Sequence, residues 1–424
     1  MISETDFRDL DWTKSTIHFI DQSPFGYVSN GRDNWLLNVA EYLIDHYNIN
    51  IHCTRPSGRR KFYNLKKIEQ VGVIITRYRF TDNQNLFYRI LNKISFYTIS
   101  HIHSLVFSLR VLNNLKKIVK DYDIIFGFNP NFEALPGIFL KKKKYNIIDI
   151  CLMKGKPAYE SSEITPFLEK LFFTLEKYFV MNSVNLFSNA PDTQEYILSM
   201  YRRDSRIIRN GVNIKKYQNV QEEIFNRQEL FVKSLKKEGV KILLFVGTLH
   251  WRKGIEFIFD LPLFLDKIYG GKYAIILIGK GKYDMYLDRI RKNGADDKIF
   301  FLGEQQNIPF FYHLSNLSLH LSYTQLGMGG VSHATLEALA AGSTIVAWNN
   351  RTYNQFLTSG FDSILVTEGN MEELSKALKK ILENQTLSSR LRENSYKTVK
   401  PFDWQVVASE LISALKKLQN STDL

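Results

Sequence analysis

Lys241–Gly254 reads KILLFVGTLHWRKG. The run Ile242–Val246 is apolar and short, the pattern of a strand buried on both faces of a parallel sheet. Gly247 and Thr248 follow it, and a glycine at a strand exit lets backbone approach a ligand closely. Arg252 and Lys253 come next, and a helical pattern opens at Gly254–Phe257. A strand, a tight loop and a helix start are where open α/β sheets bind phosphate-bearing ligands. Arg offers a planar fork to a phosphate and Lys a point charge. A basic pair at a helix start is more often simply solvated, so the reading depends on a second element.

That element is Gly327–Gly342, GMGGVSHATLEALAAG. Gly329 and Gly330 form a loop without side chains, Ser332 suits an N-cap, and His333–Ala341 is rich in helix formers with a stop at Gly342. The N–H groups of Gly330, Val331 and the first helical turn would face a ligand, and the helix dipole favours an anion there. Glu337 lies one turn past His333. An acid beside a phosphate site is electrostatically wrong unless it binds hydroxyls. The residues therefore read as a site for a nucleoside diphosphate carrying a polyol. The plainer reading is a glycine turn before an alanine-rich core helix.

These pieces, with others in the same order, resemble the retaining glycosyltransferases of the GT-B fold (glycosyltransferase family four, glycosyl transferases group one). The matching stretches are Arg209–Tyr217 (RNGVNIKKY), Phe245–Gly254 (FVGTLHWRKG), Ile276–Gly281 (ILIGKG), Ile299–Glu304 (IFFLGE) and Thr335–Ala347 (TLEALAAGSTIVA). The resemblance covers about residues 206–405. It implies two doubly wound, Rossmann-like α/β domains facing across a cleft, with donor on the C-terminal domain and acceptor on the N-terminal one. The domains expected are 1–205, acceptor side, and 206–400, nucleotide-sugar side, with a terminal helix in 401–424 crossing back. The family carries two glutamates with seven residues between them. Glu337 matches the second, and Gly329 stands where the first would fall. That departure bears on donor choice and on whether the chain is active.

The implied reaction is metal-independent transfer of a sugar from a UDP- or GDP-sugar to a glycan or lipid-linked acceptor, with retention, in polysaccharide or glycolipid biosynthesis. No cofactor is expected beyond the donor. Candidate catalytic residues are Arg252, Lys253, Glu337 and Asp149, the last from the strand pattern NIIDICLMKG. Gly247, Thr248, Gly279, Gly329, Gly330 and Val331 are candidates for donor binding, and Gly26 and Gly31 for an acceptor-side loop. Asp121, Tyr122 and Asp123 formally match the Asp-x-Asp metal motif of the other major glycosyltransferase fold; without the rest of that pattern they read as surface acids.

The chain of 424 residues is long enough for two domains, and 44% hydrophobic with 13% aromatic residues fills two cores. Cys53 and Cys151 are the only cysteines, so neither a disulfide framework nor a metal site is expected. The polar start MISETDFRDLDW is not a signal peptide pattern, and a cytoplasmic protein is expected. The net charge of +13 suits nucleic acid, anionic lipid or phosphorylated substrates. Alternatives to the transferase are a non-catalytic nucleotide-binding relative, suggested by Gly329, and a nucleic-acid-modifying glycosyltransferase, suggested by charge. No nucleic-acid partner is expected, because no basic stripe with interleaved aromatics accompanies the charge.

Strands are expected at Thr16–Ile20, Ile49–Thr54, Asp123–Gly127, Asn146–Cys151 and Val184–Ser188, with helices over Trp35–Tyr47 and Phe167–Phe179. Residues 218–240 read as a helical surface excursion, and Ile207–Val212 as the turn into the second half. Across 86–117, Phe87, Leu91, Ile94, Ile102, Leu105 and Leu109 recur at helical spacing among basic residues. Two readings fit: core-packed helices, the favoured one, or peripheral contact with an anionic membrane at its inner face.

Overall fold

The computed structural model describes residues 14–22, 31–54, 73–78, 96–153, 166–220, 226–281, 284–323 and 330–421. It divides into two compact units, one of Met1–Arg209 with Trp404–Leu424 and one of Asn210–Asp403.

The first unit holds strands β1 (Thr16–Asp21), β2 (Asn48–Thr54), β3 (Ile74–Tyr78), β4 (Ile124–Phe128), β5 (Ile148–Met153), β6 (Asn185–Ser188) and β7 (Arg206–Ile207). They form one sheet in the order β3-β2-β1-β4-β5-β6-β7, every pair parallel. All six positions of β5 are buried, as a strand covered by helices on both faces requires. Helix Trp404–Ser421 lies against helix Gly31–Leu43. Trp404, Val407, Leu411 and Leu415 join Trp35 and Val39 in one core. Each such side chain stabilises by roughly 1.5–3 kcal/mol when fully buried, so the returning segment is integral to this unit.

Several expectations are corrected. Ile207 extends the first sheet through β7 instead of turning away from it. Asp123 is no surface acid: it is 2% exposed, and its carboxylate accepts from Thr16 N at 2.7 Å and Lys120 N at 2.8 Å. It also lies 3.5 Å from His18 Nε2. Its role is to tie the start of β1 to the turn before β4. In 86–117, helix Phe96–Ile118 buries Phe107, Val111 and Leu115 against Ile20, Ile125 and Leu140, which is core packing. The phase differs from the one read in sequence, since Leu109 is 49% exposed. Phe87, Leu91 and Ile94 lie outside the described residues. Among the described residues no helix is long and apolar enough to cross a membrane.

The second unit holds β8 (Lys241–Val246), β9 (Tyr273–Ile278), β10 (Ile299–Gly303), β11 (Leu317–His320), β12 (Ile345–Asn349) and β13 (Ser363–Thr367). The parallel order is β10-β9-β8-β11-β12-β13. Successive strands run outward from β8 one way, and from β11 the other, so the order reverses between β8 and β11. A crevice opens at such a switch point, at the carboxyl ends of the strands. Residues 218–240 are less peripheral than read. Helix Arg227–Lys237 is capped by Asn226, buries Val232 and sets Phe231 5.0 Å from Phe300.

Candidate functional site

The exits of β8 and β9 run together. Gly247 N donates to Ile278 O at 2.9 Å, and Leu249 N to Lys280 O at 2.6 Å. The approach at Gly279 is so close that a Cβ there would lie 1.9 Å from Gly247 O. Only glycine fits. Thr248 is exposed on this loop.

The chain then folds into a short 3-10 turn, Trp251–Lys253, whose cap is His250. His250 Nδ1 accepts from Arg252 N at 3.2 Å, and its carbonyl accepts from Lys253 N at 2.8 Å. Burial, with Arg252 and Lys253 beside it, lowers the His250 pKa and keeps the ring a neutral acceptor. The turn is fastened to the chain leaving β11, because Tyr323 N donates to Arg252 O at 3.2 Å. Arg252 lies over the Trp251 ring, 5.6 Å from its centre. Its buried Nε has no partner among the described residues. Burial brings the Lys253 pKa down to about 8. A cation held against desolvation is one that gains from an incoming anion.

His320, the last residue of β11, lies between this turn and the next element. It is 6% exposed, with Nδ1 3.0 Å from Thr335 Oγ1 and Nε2 3.1 Å from Ser318 Oγ. Burial first, and then the Lys253 charge, push its pKa down to about 3, so the ring is neutral. It links the basic turn to helix His333–Ala340.

Ser332 caps that helix, its hydroxyl accepting from Thr335 N at 3.2 Å. The start is braced from behind. Asn210 Nδ2 donates to Val331 O at 2.9 Å, and Tyr312 OH to Ala334 O at 2.8 Å. Val331 is buried. Glu337, one turn in, stays partly exposed while burial raises its pKa to about 7. Tyr217 donates a hydrogen bond to its carboxylate, and Lys216 adds a positive field; both oppose the rise.

The second unit therefore brings Gly247, Thr248, Arg252 and Lys253 to the strand-exit edge of its own sheet, with Gly279 beside them. Gly330, Val331 and Glu337 flank the chain leaving β11 at that edge. Gly329 and Gly26 lie outside the described residues, and Gly31 opens helix Gly31–Leu43. Asp149 is not brought to the carboxyl edge of its sheet. It is the second residue of β5, at the amino end of the strand, 2% exposed, and its Oδ2 accepts from Val184 N at 2.9 Å. A carboxylate there ties β5 to the start of β6 and cannot meet a ligand at the carboxyl edge.

Sequence reasoning missed His320, Asn210 and Tyr217. Asn210 and Tyr217 sit inside the motif RNGVNIKKY, but their partners are far along the chain. His320 carries a usable signal, a polar residue ending a short strand in which Leu317 and Leu319 alternate with Ser318.

The sequence model of the glycosyl transferases group 1 matches residues 226–398, all within the second unit. An uncharacterized glycosyltransferase of Methanocaldococcus jannaschii is 25% identical over 334 residues, 76% of this chain and 82% of that protein. The N,N'-diacetylbacillosaminyl-diphospho-undecaprenol alpha-1,3-N-acetylgalactosaminyltransferase of Campylobacter jejuni is 22% identical over 48% of this chain and 51% of its own length. In structure, Anabaena HepE solved in complex with UDP aligns with a TM-score of 0.69 at 15% identity, over 95% of this chain and all of that one. The second unit therefore carries a glycosyl transferases group 1 domain, and the two parallel α/β sheets are those of the GT-B fold.

Proposed function

We propose that this chain moves a sugar from a UDP- or GDP-sugar to a glycan or lipid-linked acceptor, with retention of anomeric configuration and without a metal ion. One observation carries the reading: two constrained cations and a capped helix start converge at the β8/β11 switch point, with a carboxylate one turn behind. As the bond from the anomeric carbon to the diphosphate breaks, its electron pair passes to the phosphate oxygen. Arg252, Lys253 and the N–H groups around Gly330 and Val331 stabilise that charge where it develops. Glu337 accepts hydroxyl hydrogen bonds from the ribose or the sugar. The acceptor hydroxyl then attacks the same face of the sugar and gives up its proton to the departing diphosphate. A structural neighbour holding UDP supports a uridine donor. The name of the Campylobacter relative supports a polyprenyl-diphosphate-linked acceptor.

Gly329, where a glutamate is expected, favours a second reading, a nucleotide-binding relative without turnover. Incubation with UDP- and GDP-sugars separates the two. Release of nucleoside diphosphate, with the donor's anomeric configuration kept in the product by NMR, is the expected result. Inverted product would sink the retaining reading. Nucleotide binding without any release would favour the second.

The pH dependence of nucleotide affinity follows from the same residues. Glu337 is ionised, and a full acceptor, only above about pH 7. Lys253 loses its charge as pH rises through about 8. Affinity for UDP or GDP should rise with pH through the first value and fall beyond the second, each limb by at most about tenfold per unit for one proton. A flat profile from calorimetry would remove both residues from the site.

A further inference from the structure

The stretch Asn210–Tyr217 braces the donor helix. Asn210 holds the Val331 carbonyl, as described, and Asn213 caps the short helix Ile214–Gln218. Tyr217, on that helix, is 4% exposed and fixed at both ends. Its carbonyl accepts from His313 Nε2 at 2.7 Å. Its ring stands edge-on to Tyr312 at 6.3 Å, and Tyr312 is itself bonded to the donor helix through Ala334 O. The hydroxyl so fixed is the one that reaches the Glu337 carboxylate.

We propose that Tyr217 is a positioning residue for Glu337: its hydroxyl occupies part of one carboxylate edge and turns the remaining lone pairs toward the hydroxyls of the bound nucleotide or sugar. This rests on the donor reading given above. A carboxylate on a helix has free rotation about its last bonds unless something holds it. In a site with Gly329 in place of a second acid, Glu337 is the one carboxylate of the pair present in this sequence, so its aim matters more.

The hydrogen bond also favours the ionised carboxylate, which makes the role measurable. The groups facing Glu337 are Lys216 and Tyr217 from helix Ile214–Gln218 and Tyr312 from helix Ile308–Leu314, with His313 behind Tyr217. His333 begins the helix of Glu337 itself. Helix Gln385–Val399 also packs on the donor helix. There Tyr396 reaches the Ala341 carbonyl at 3.5 Å, Arg390 reaches Gly360 O, Lys397 pairs with Glu393, and Arg392 faces Lys236. Among the described residues Tyr217 is the neutral hydroxyl bonded to the carboxylate, and Tyr217→Phe removes it while keeping the ring.

The test is calorimetric affinity for UDP and for GDP from about pH 6 to about pH 9 in the wild type, Tyr217→Phe and Glu337→Gln. Loss of the bond moves the Glu337 titration upward, by about one unit for a bond of this kind. Tyr217→Phe should then bind about tenfold more weakly at the acid end and about fivefold at neutrality, with the deficit gone by about pH 9. The Lys253 limb is common to both proteins and cancels in their ratio. Glu337→Gln should lose the acid limb altogether. A Tyr217→Phe deficit equal at every pH, or none at all, overturns the inference while leaving the donor site standing. Glu337→Gln with the wild-type profile, or no binding of either nucleotide to the wild type, overturns the donor reading itself.

Discussion

Lys253→Ala should lower kcat by about two orders of magnitude, the scale for losing one preorganised charge stabiliser. The residue sits at the carboxyl edge of its sheet, in a 3-10 turn fixed by His250 and by the chain leaving β11. Burial brings its pKa down to about 8, so the ammonium there is partly stripped of water. Circular dichroism and a Tm measured beside the rate separate a functional lysine from a structural one, because the expected loss of turnover is that of a variant which stays folded. Lys253→Arg should not restore the rate, since the fork needs more room than a compact ammonium. Turnover unchanged in folded Lys253→Ala would rule out the assigned role.

Gly254→Ala should cost at least about 3 kcal/mol of stability, a Tm fall of roughly 10 °C for a unit of this size. Two effects add. Gly254 has φ of 70°, where a side chain is strained by about 1–2 kcal/mol. Its Cβ would also lie 2.0 Å from Leu321 O, a backbone atom just past β11 that cannot swing away. Gly369→Ala is the matched control. It has φ of 79° and open space around its Cβ, so only the strain remains. Thermal unfolding should show a far larger fall for Gly254→Ala than for Gly369→Ala. Equal falls would mean that the close packing of the basic turn on β11 contributes nothing.

What was legible in the sequence is what depends on neighbours along the chain. Ile242–Val246 declares a buried strand by composition, and Ser332 declares a cap by its place before His333–Ala341. Where a register decided the outcome, the sequence misled. The pattern NIIDICLMKG predicts a strand at Asn146–Cys151, with Asp149 past its middle toward the carboxyl end, where ligands bind. The strand is Ile148–Met153, and that two-residue shift puts Asp149 at the buried amino end instead. The helix Phe96–Ile118 shows the same weakness. Apolar residues occur on several faces, so periodicity alone picked Leu109 over Phe107 and Val111. His320 and Tyr217 were illegible for another reason. Their roles come from partners 15 and about 120 positions away, Thr335 and Glu337, and only the folded chain joins them.

The central claim is a nucleoside-diphosphate site at the β8/β11 switch point. The most direct measurement is thermal unfolding of the full chain, wild type and Lys253→Ala, with UDP, GDP, ADP and CMP and their common sugar conjugates. One nucleoside diphosphate family should stabilise the wild type selectively, and Lys253→Ala, measured against its own ligand-free Tm, should lose most of that stabilisation. No shift with any nucleotide, or an equal shift in both proteins, would contradict it.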